Sequence, residues 1–259
     1  MITSSQNPKL KLVRTLQGRA KERHEAGMFV VEGVRLVEEA VKAHWQFEFV
    51  LFSDGLSERG KELVNNLTAN QIELEEVSGD LLQNVSETET PQGILAVLKL
   101  DTLPIPDSPT FLIIPDQIRD PGNLGTLLRT AAATGAQATL LPPETTDAFA
   151  PKVLRAGMGA HFQVPIHSMI WAEIREHIKE MKIYLADMNG RSCWKTDLRQ
   201  PLALIIGGEA GGASEEAQKL ATHRISIPMP GNVESLNAGV AGSVLMFEIV
   251  RQRSVISRQ

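Results

Sequence analysis

Three stretches in the second half of the chain gather small and polar residues where apolar runs end. The first is DQIRDPGNLGTLLRTA (116–131). Asp120-Pro121-Gly122-Asn123 reads as a turn opening a helix, with Asn123 in the N-cap position and Arg129 one and a half turns further in. The second is IIGGEAGGAS (205–214), where Gly207, Gly208, Gly211 and Gly212 surround Glu209. Glycines at that density let backbone N–H groups approach a ligand closely. The third is IPMPGNVESLNAGVAGSVLMFE (227–248), in which Pro228 and Pro230 end a strand and Ser235 and Asn237 stand at the opening of a terminal helix. Free N–H groups and polar side chains face outward at such an opening. Taken singly, each stretch also admits a plain structural reading. Asn123 and Ser235 are then caps, Arg129 pairs with a carboxylate, and the glycine loop is a strand-to-helix connection capped by Ser214.

Such residues act together only if the elements around them bring them to one place. The pattern predicts strands at 110–116, 138–142, 182–188, 201–212 and 223–229, with helices at 125–135, 170–181 and 234–252. Gly135 reads as the C-cap of the first of these helices. Apolar strands separated by helices imply a mostly parallel, buried sheet. In open α/β sheets ligands sit at the carboxyl ends of strands, where all three stretches fall. Ahead of them, DTLPIPDSPT reads as a linker, giving a first domain over 1–100, a linker over 101–109 and a second domain over 110–259. The first domain reads as small α/β: a basic helix from Pro8 to about Lys21, strands at 28–33, 47–52, 72–77 and 93–100, and helices at 34–43 and 59–69.

Composition narrows the class. Hydrophobic residues make up 42% and charged residues 22%, so a sizeable core is within reach. The single cysteine, Cys193, permits no intrachain disulfide, and no Cys/His cluster offers a metal site. No apolar run reaches the ~20 residues of a membrane helix, and the N-terminus lacks an apolar signal core. A cytoplasmic setting is expected. No Gly-x-Gly-x-x-Gly follows the first strand and no Walker lysine loop is present, which argues against a simple dehydrogenase or kinase. The net charge of -5 argues mildly against nucleic acid, but the charge is unevenly spread. Lys9, Lys11, Arg14, Arg19, Lys21 and Arg23 face one acid, Glu22, within residues 1–24, and Arg251, Arg253 and Arg258 end the chain. Basic ends on an acidic body can grip a phosphate backbone, although a solvated helix face is the blander reading.

Together the three stretches resemble the motifs of the SpoU (TrmH) family of RNA 2′-O-ribose methyltransferases, within the SPOUT superfamily. Residues 120–131 are similar to D-P-x-N-x-G-x-x-x-R-T-A, residues 207–212 to G-x-E-x-x-G, and residues 227–237 to I-P-M-x-G-x-x-x-S-L-N. Ala210 stands where the family usually has glycine, which is tolerable unless that backbone has a positive φ. TSSQNPKLKLVRTL, FVVEGVRLVEEAV and TPQGILAV resemble the substrate-binding domain that precedes many SpoU catalytic domains.

The resemblance implies a deep trefoil knot in the second domain, S-adenosylmethionine as cofactor, and a homodimer through the terminal helix. It implies RNA as substrate, with large-subunit ribosomal RNA favoured by the leading substrate-binding domain and transfer RNA as the alternative. Arg129, Asn123, Ser235, Asn237 and Glu209 become the catalytic candidates. Leu141, Pro142, Gly207, Gly208, Glu209, Gly212, Ile227, Met229 and Leu236 become the cofactor candidates. Lys9, Lys11, Arg14 and Arg19 become the RNA-binding candidates. A non-catalytic RNA-binding or ribosome-assembly module, and an α/β enzyme using another nucleotide, remain alternatives.

Overall fold

The computed structural model describes residues 1–209, 211–231 and 235–254. They form two compact units: Met1–Asp101 with Phe149–Phe162, and Thr102–Ala148 with the chain from Gln163 onward.

The first unit holds α1 (Pro8–Gln17), α2 (Ala20–Ala26), β1 (Met28–Glu32), α3 (Val34–Lys42), β2 (Phe47–Phe52), α4 (Glu58–Ala69), β3 (Leu74–Glu76), α5 (Gly79–Val85) and β4 (Ile94–Lys99). The sheet order is β1-β4-β2-β3, antiparallel except for the parallel β2–β3 pair. Alternate strand residues Val30, Phe49, Leu51, Leu95 and Val97 meet Leu10, Val13 and Leu16 of α1 and Leu82 and Val85 of α5. The basic helix expected to run to Lys21 breaks at Gly18, and α2 starts anew. Arg23 is buried there, its Nη1 donating to the carbonyls of Leu16 (2.7 Å) and Gly18 (2.9 Å). That arginine therefore ties α1 to α2.

The second unit holds β5 (Phe111–Asp116), α6 (Pro121–Thr134) and β6 (Ala138–Leu141). The chain then gives α7 (Pro151–Gly157) to the first unit before returning as β7 (Ile166–Ser168), α8 (Trp171–Ile178), β8 (Lys182–Ser192), β9 (Leu202–Gly207), α9 (Glu215–Leu220), β10 (His223–Ser226) and α10 (Ala238–Ser254). The excursion of 149–162, unexpected from the sequence, is anchored by aromatic pairs. Phe149 meets Phe29 with ring centroids 4.9 Å apart, and Phe162 meets Trp45 at 5.2 Å. The 102–109 stretch has neither helix nor strand, yet Leu103 O lies 2.8 Å from His167 Nε2 and Ile105 packs on the core of the second unit.

Six strands in the order β10-β8-β9-β5-β6-β7 make an all-parallel sheet. β5, β6 and β9 are buried almost throughout, as strands covered on both faces must be. Ile174 and Ile178 of α8 and Ala217 of α9 cover one face. On the other, α10 runs alongside α6 in the same direction: Gly239 abuts Asn123 and Thr126, Gly242 abuts Leu127, and Thr130 Oγ1 lies 2.8 Å from Ser243 Oγ. A Cβ at Gly242 would come within 2.3 Å of Leu127 Cδ2, so a larger residue there would have to displace the Leu127 side chain. Among the described residues, no helix is long and apolar enough to cross a membrane.

Candidate functional site

From β5 the chain leaves through α6 toward β6, while from β9 it leaves through α9 toward β10, on the opposite face and in the opposite direction. Adjacent strands whose connections diverge open a crevice at their carboxyl ends. The three sequence stretches meet at this crevice.

β5 ends in Asp116, fully buried, whose Oδ2 accepts the Ser214 backbone N–H at 2.6 Å. Burial pushes this carboxyl above the usual carboxylate range, and the Ser214 hydrogen bond pulls against that rise. Gln117 then turns the chain with a φ of 53°. Gly208 lies against its carbonyl: a Cβ there would sit 2.3 Å from the oxygen. A Cβ at Gly207 would meet Ala213 N at 2.6 Å. Gly208 N donates to Gly212 O at 3.1 Å, and Gly212 has a φ of 70°. The loop from 207 to 213 thus folds back on itself with no room for side chains at its base. Ala210 lies outside the described residues.

Helix α6 begins with Pro121 at its first position, capped by Asp120, whose Oδ1 accepts the Asn123 N–H at 2.8 Å. The expected N-cap role of Asn123 is therefore corrected. Because Asp120 satisfies the orphan donor, the Asn123 side chain is released, and its Nδ2 donates to Glu209 Oε1. Asn237 caps α10, accepting the Val240 N–H at 3.2 Å. Ser235 precedes that cap and is exposed. The Asn123 and Asn237 side-chain oxygens both flank Gly239, at 3.3 Å and 3.2 Å from where its Cβ would be. Asn123, Glu209 and Asn237 therefore converge.

A cavity of about 680 Å³ opens beside them, within the ~300–1,000 Å³ range of small-ligand sites. Gly207, Gly208, Glu209, Gly212, Ile227, Met229, Ser235, Leu236 and Asn237 line it. Leu141 and Pro142 do not, because β6 lies beyond β5 on the side away from β8 and β9. In their place the sequence reading missed residues 185–189 of β8, Gln218 and Arg224.

Arg129 is exposed on α6 and makes no hydrogen bond or ion pair with any described residue. Six residues of helix put its Cα about 9 Å along the axis from that of Asn123. Helical side chains lean toward the N-terminus, so its stem runs back over the turn that holds Gly125 and Thr126.

The basic ends fare differently. Lys9 is paired with Glu73 and Glu75 and lies over the Phe49 ring, so its charge is matched within the chain. Lys11, Arg14 and Arg19 are exposed, and Arg14 Nη1 donates only to Ser5 O. Arg251 is held by Glu248, and Arg253 donates to Thr110 O and Gln200 O. Arg253 thus pins α10 to its surroundings, Arg251 is matched by a carboxylate on its own helix, and Arg258 lies outside the described residues.

A glycine-built cavity at the diverging ends of a parallel sheet, beside two helix openings, defines an α/β protein that takes a small ligand across its strand ends. Comparison with known proteins makes the assignment specific. Residues 110–247 match the model of the SpoU rRNA Methylase family, and residues 7–96 match an MRM3-like substrate binding domain. The 23S rRNA (guanosine(2553)-2′-O)-methyltransferase RlmP of Bacillus subtilis is 33% identical, over 96% of this chain and 98% of its own. The mitochondrial rRNA methyltransferase 3 of Mus musculus is 33% identical over 94% of this chain and 72% of its own. The crystal structure of the SpoU methyltransferase AviRb from Streptomyces viridochromogenes, in complex with AdoMet, superposes with a TM-score of 0.88 at 29% identity, covering 96% of this chain and 99% of that one. The chain belongs to the SpoU rRNA methylase family.

The Asp116–Ser214 tie should hold the glycine loop. Asp116→Ala leaves the Ser214 N–H without its acceptor and should lower stability by about 1–3 kcal/mol, whereas Asp116→Asn keeps an oxygen there and should cost less. Denaturant midpoints of the two variants check this ordering. Equal midpoints for alanine and the unaltered chain would discount the tie.

Proposed function

We propose that this chain is an S-adenosylmethionine-dependent methyltransferase that methylates a ribose 2′-hydroxyl of large-subunit ribosomal RNA. The observation that carries the reading is the convergence of Asn123, Glu209 and Asn237 beside a cavity built from glycine backbone. The names of the relatives support ribosomal RNA, and the AdoMet in the AviRb structure supports the cofactor. The trefoil knot implied by the family belongs to the same reading. The likeness to the AviRb structure supports it. We read the setting as cytoplasmic, in keeping with an RNA substrate and a single, buried cysteine.

The residues fit the cofactor: the bare backbone of Gly207, Gly208 and Gly212 can approach it closely, and Ile227, Met229 and Leu236 offer apolar contact. When bound, S-adenosylmethionine supplies a methyl group on a sulfonium. The protein must then align the 2′-oxygen and let its proton leave. Arg129 cannot be the base, since a guanidinium stays protonated near neutral pH. Its planar fork suits orienting the hydroxyl and the adjacent phosphate, with the proton passing to that phosphate or to water. Glu209 holds Asn123, and Asn237 and Ser235 stand where the ribose enters. The first unit is the RNA-gripping domain, through Lys11, Arg14 and Arg19.

Two outcomes follow from this division of labour. Replacing Lys11, Arg14 and Arg19 by neutral residues should raise KM for RNA and flatten its salt dependence, since fewer counterions are released. Arg129→Ala should keep cofactor affinity and lose turnover at saturating RNA, and Arg129→Lys should rescue poorly. Single-turnover methylation on saturated enzyme decides it. Near-normal turnover by Arg129→Ala would move the role to Ser235 or Asn237.

The same reading includes a homodimer through α10. Val240 and Phe247 are exposed on this helix at 47% and 55%, with Leu236 just before it. A covered stripe is the expected fate of such large apolar groups. Light scattering should give twice the 28.3 kDa chain mass, and Phe247→Asp should shift it toward one. A single-chain mass for the unaltered protein at working concentration would refute the dimer.

A further inference from the structure

β8 and β10 pair in parallel, but not continuously. Arg224 pairs with Leu185, whereas the next residue, Ile225, pairs with Arg191. Residues 186–190 therefore bulge out of the ladder opposite a single peptide bond. The bulge is closed at its base: a Cβ at Gly190 would sit 2.5 Å from Ile225 N, and Ser226 Oγ donates to Gly190 O at 2.9 Å. Its side chain Asp187 accepts the Asn189 N–H at 2.9 Å through Oδ1 and pairs with Arg224 Nη1 through Oδ2. Four bulge residues, Ala186 to Asn189, line the cavity, and so does Arg224.

The charges of that lining are few. Among the described residues they are Asp187, Glu209 and Arg224, and Glu209 is engaged by Asn123. Among the described residues Arg224 is thus the one cation lining the cavity. Its side chain is 48% exposed, and among the described residues only Nη1 of its guanidinium is bound. An S-adenosyl cofactor carries one anionic group, the α-carboxylate of its amino-acid end, next to an ammonium. An arginine with free donors beside an aspartate is the complement of that zwitterion, and a guanidinium suits a carboxylate bidentately.

We propose that Arg224, held in place by Asp187, binds the α-carboxylate of the cofactor, with Asp187 facing the ammonium. The pair then selects S-adenosylmethionine and its demethylated product over nucleosides lacking the amino-acid end. This rests on the cofactor reading given above and adds the residues that recognise that end.

The test compares two probes without RNA. S-adenosylhomocysteine carries the amino-acid end, and 5′-methylthioadenosine lacks it. Calorimetry on Arg224→Met should show S-adenosylhomocysteine weakened about tenfold or more, the worth of a charge-assisted hydrogen bond. Binding of 5′-methylthioadenosine should stay within about twofold, since nothing it contacts has changed. Arg224→Lys should fall between the methionine variant and the unaltered chain, and Asp187→Asn should weaken S-adenosylhomocysteine selectively. Equal weakening of both probes would mean that the pair only holds the 186–190 bulge, and no weakening of either would mean that the arginine faces solvent. Either result overturns the proposal. Failure of the unaltered chain to bind S-adenosylhomocysteine would instead overturn the cofactor reading, and this inference with it.

Discussion

The backbone at Gly208 lies against the carbonyl of Gln117 at a distance that leaves no space for a Cβ. That contact joins the ends of β5 and β9 where their connections diverge. Everything at the crevice is arranged around it. Asp116, one residue before Gln117, reaches Ser214 beyond the loop, and Glu209, one residue after Gly208, reaches Asn123 on α6. A side chain at 208 would push the glycine loop away from β5 and open both hydrogen bonds together. The bare backbone of Gly207, Gly208, Gly211 and Gly212 therefore forms one part of the cavity wall, which suits a ligand that must sit close to the strand ends.

The second constraint is the close packing of α6 and α10. Gly239 and Gly242 let the helices run side by side with their openings level, so that Asn123 from one and Asn237 from the other reach the same spot. Polar groups at two helix openings meet there, each relieved of ordinary work in a different way. Asp120 takes the capping duty on α6 and frees Asn123 to bond Glu209, while Asn237 caps its own helix and still flanks Gly239. Arg129 lies farther along α6 and is exposed to solvent.

Much of this was legible in the residue types. Buried apolar strands, the Gly135 C-cap and the three polar stretches at strand ends follow from local pattern, and all three stretches reach the crevice. What failed were statements about position across the sheet. Leu141 and Pro142 end a strand as Ile206 and Gly207 do, but strand order puts β6 on the wrong side of β5, and strand order is not written in any local period. Asp120 and Asn123 are both capping types. Pro121 at the first helical position was the signal that decides between them. The β8 bulge, which brings Asp187 to the cavity, is set by how Gly190 packs on a strand more than thirty residues later. Lys9 looked free because its partners, Glu73 and Glu75, are distant in sequence. The return of residues 149–162 to the first unit depends on aromatic partners equally remote.

The central claim is that this crevice delivers a methyl group to a ribose oxygen. A 2′-O-methyl group removes the hydroxyl that attacks the neighbouring phosphate in alkali, so a methylated ribose protects one linkage from hydrolysis. The direct measurement is transfer of labelled methyl from S-adenosylmethionine to unmodified large-subunit ribosomal RNA, followed by complete alkaline hydrolysis. The account predicts that the label is recovered in an alkali-resistant dinucleotide. Label recovered in mononucleotides would mean methylation of a base, and no transfer would mean a different chemistry; either result would contradict it.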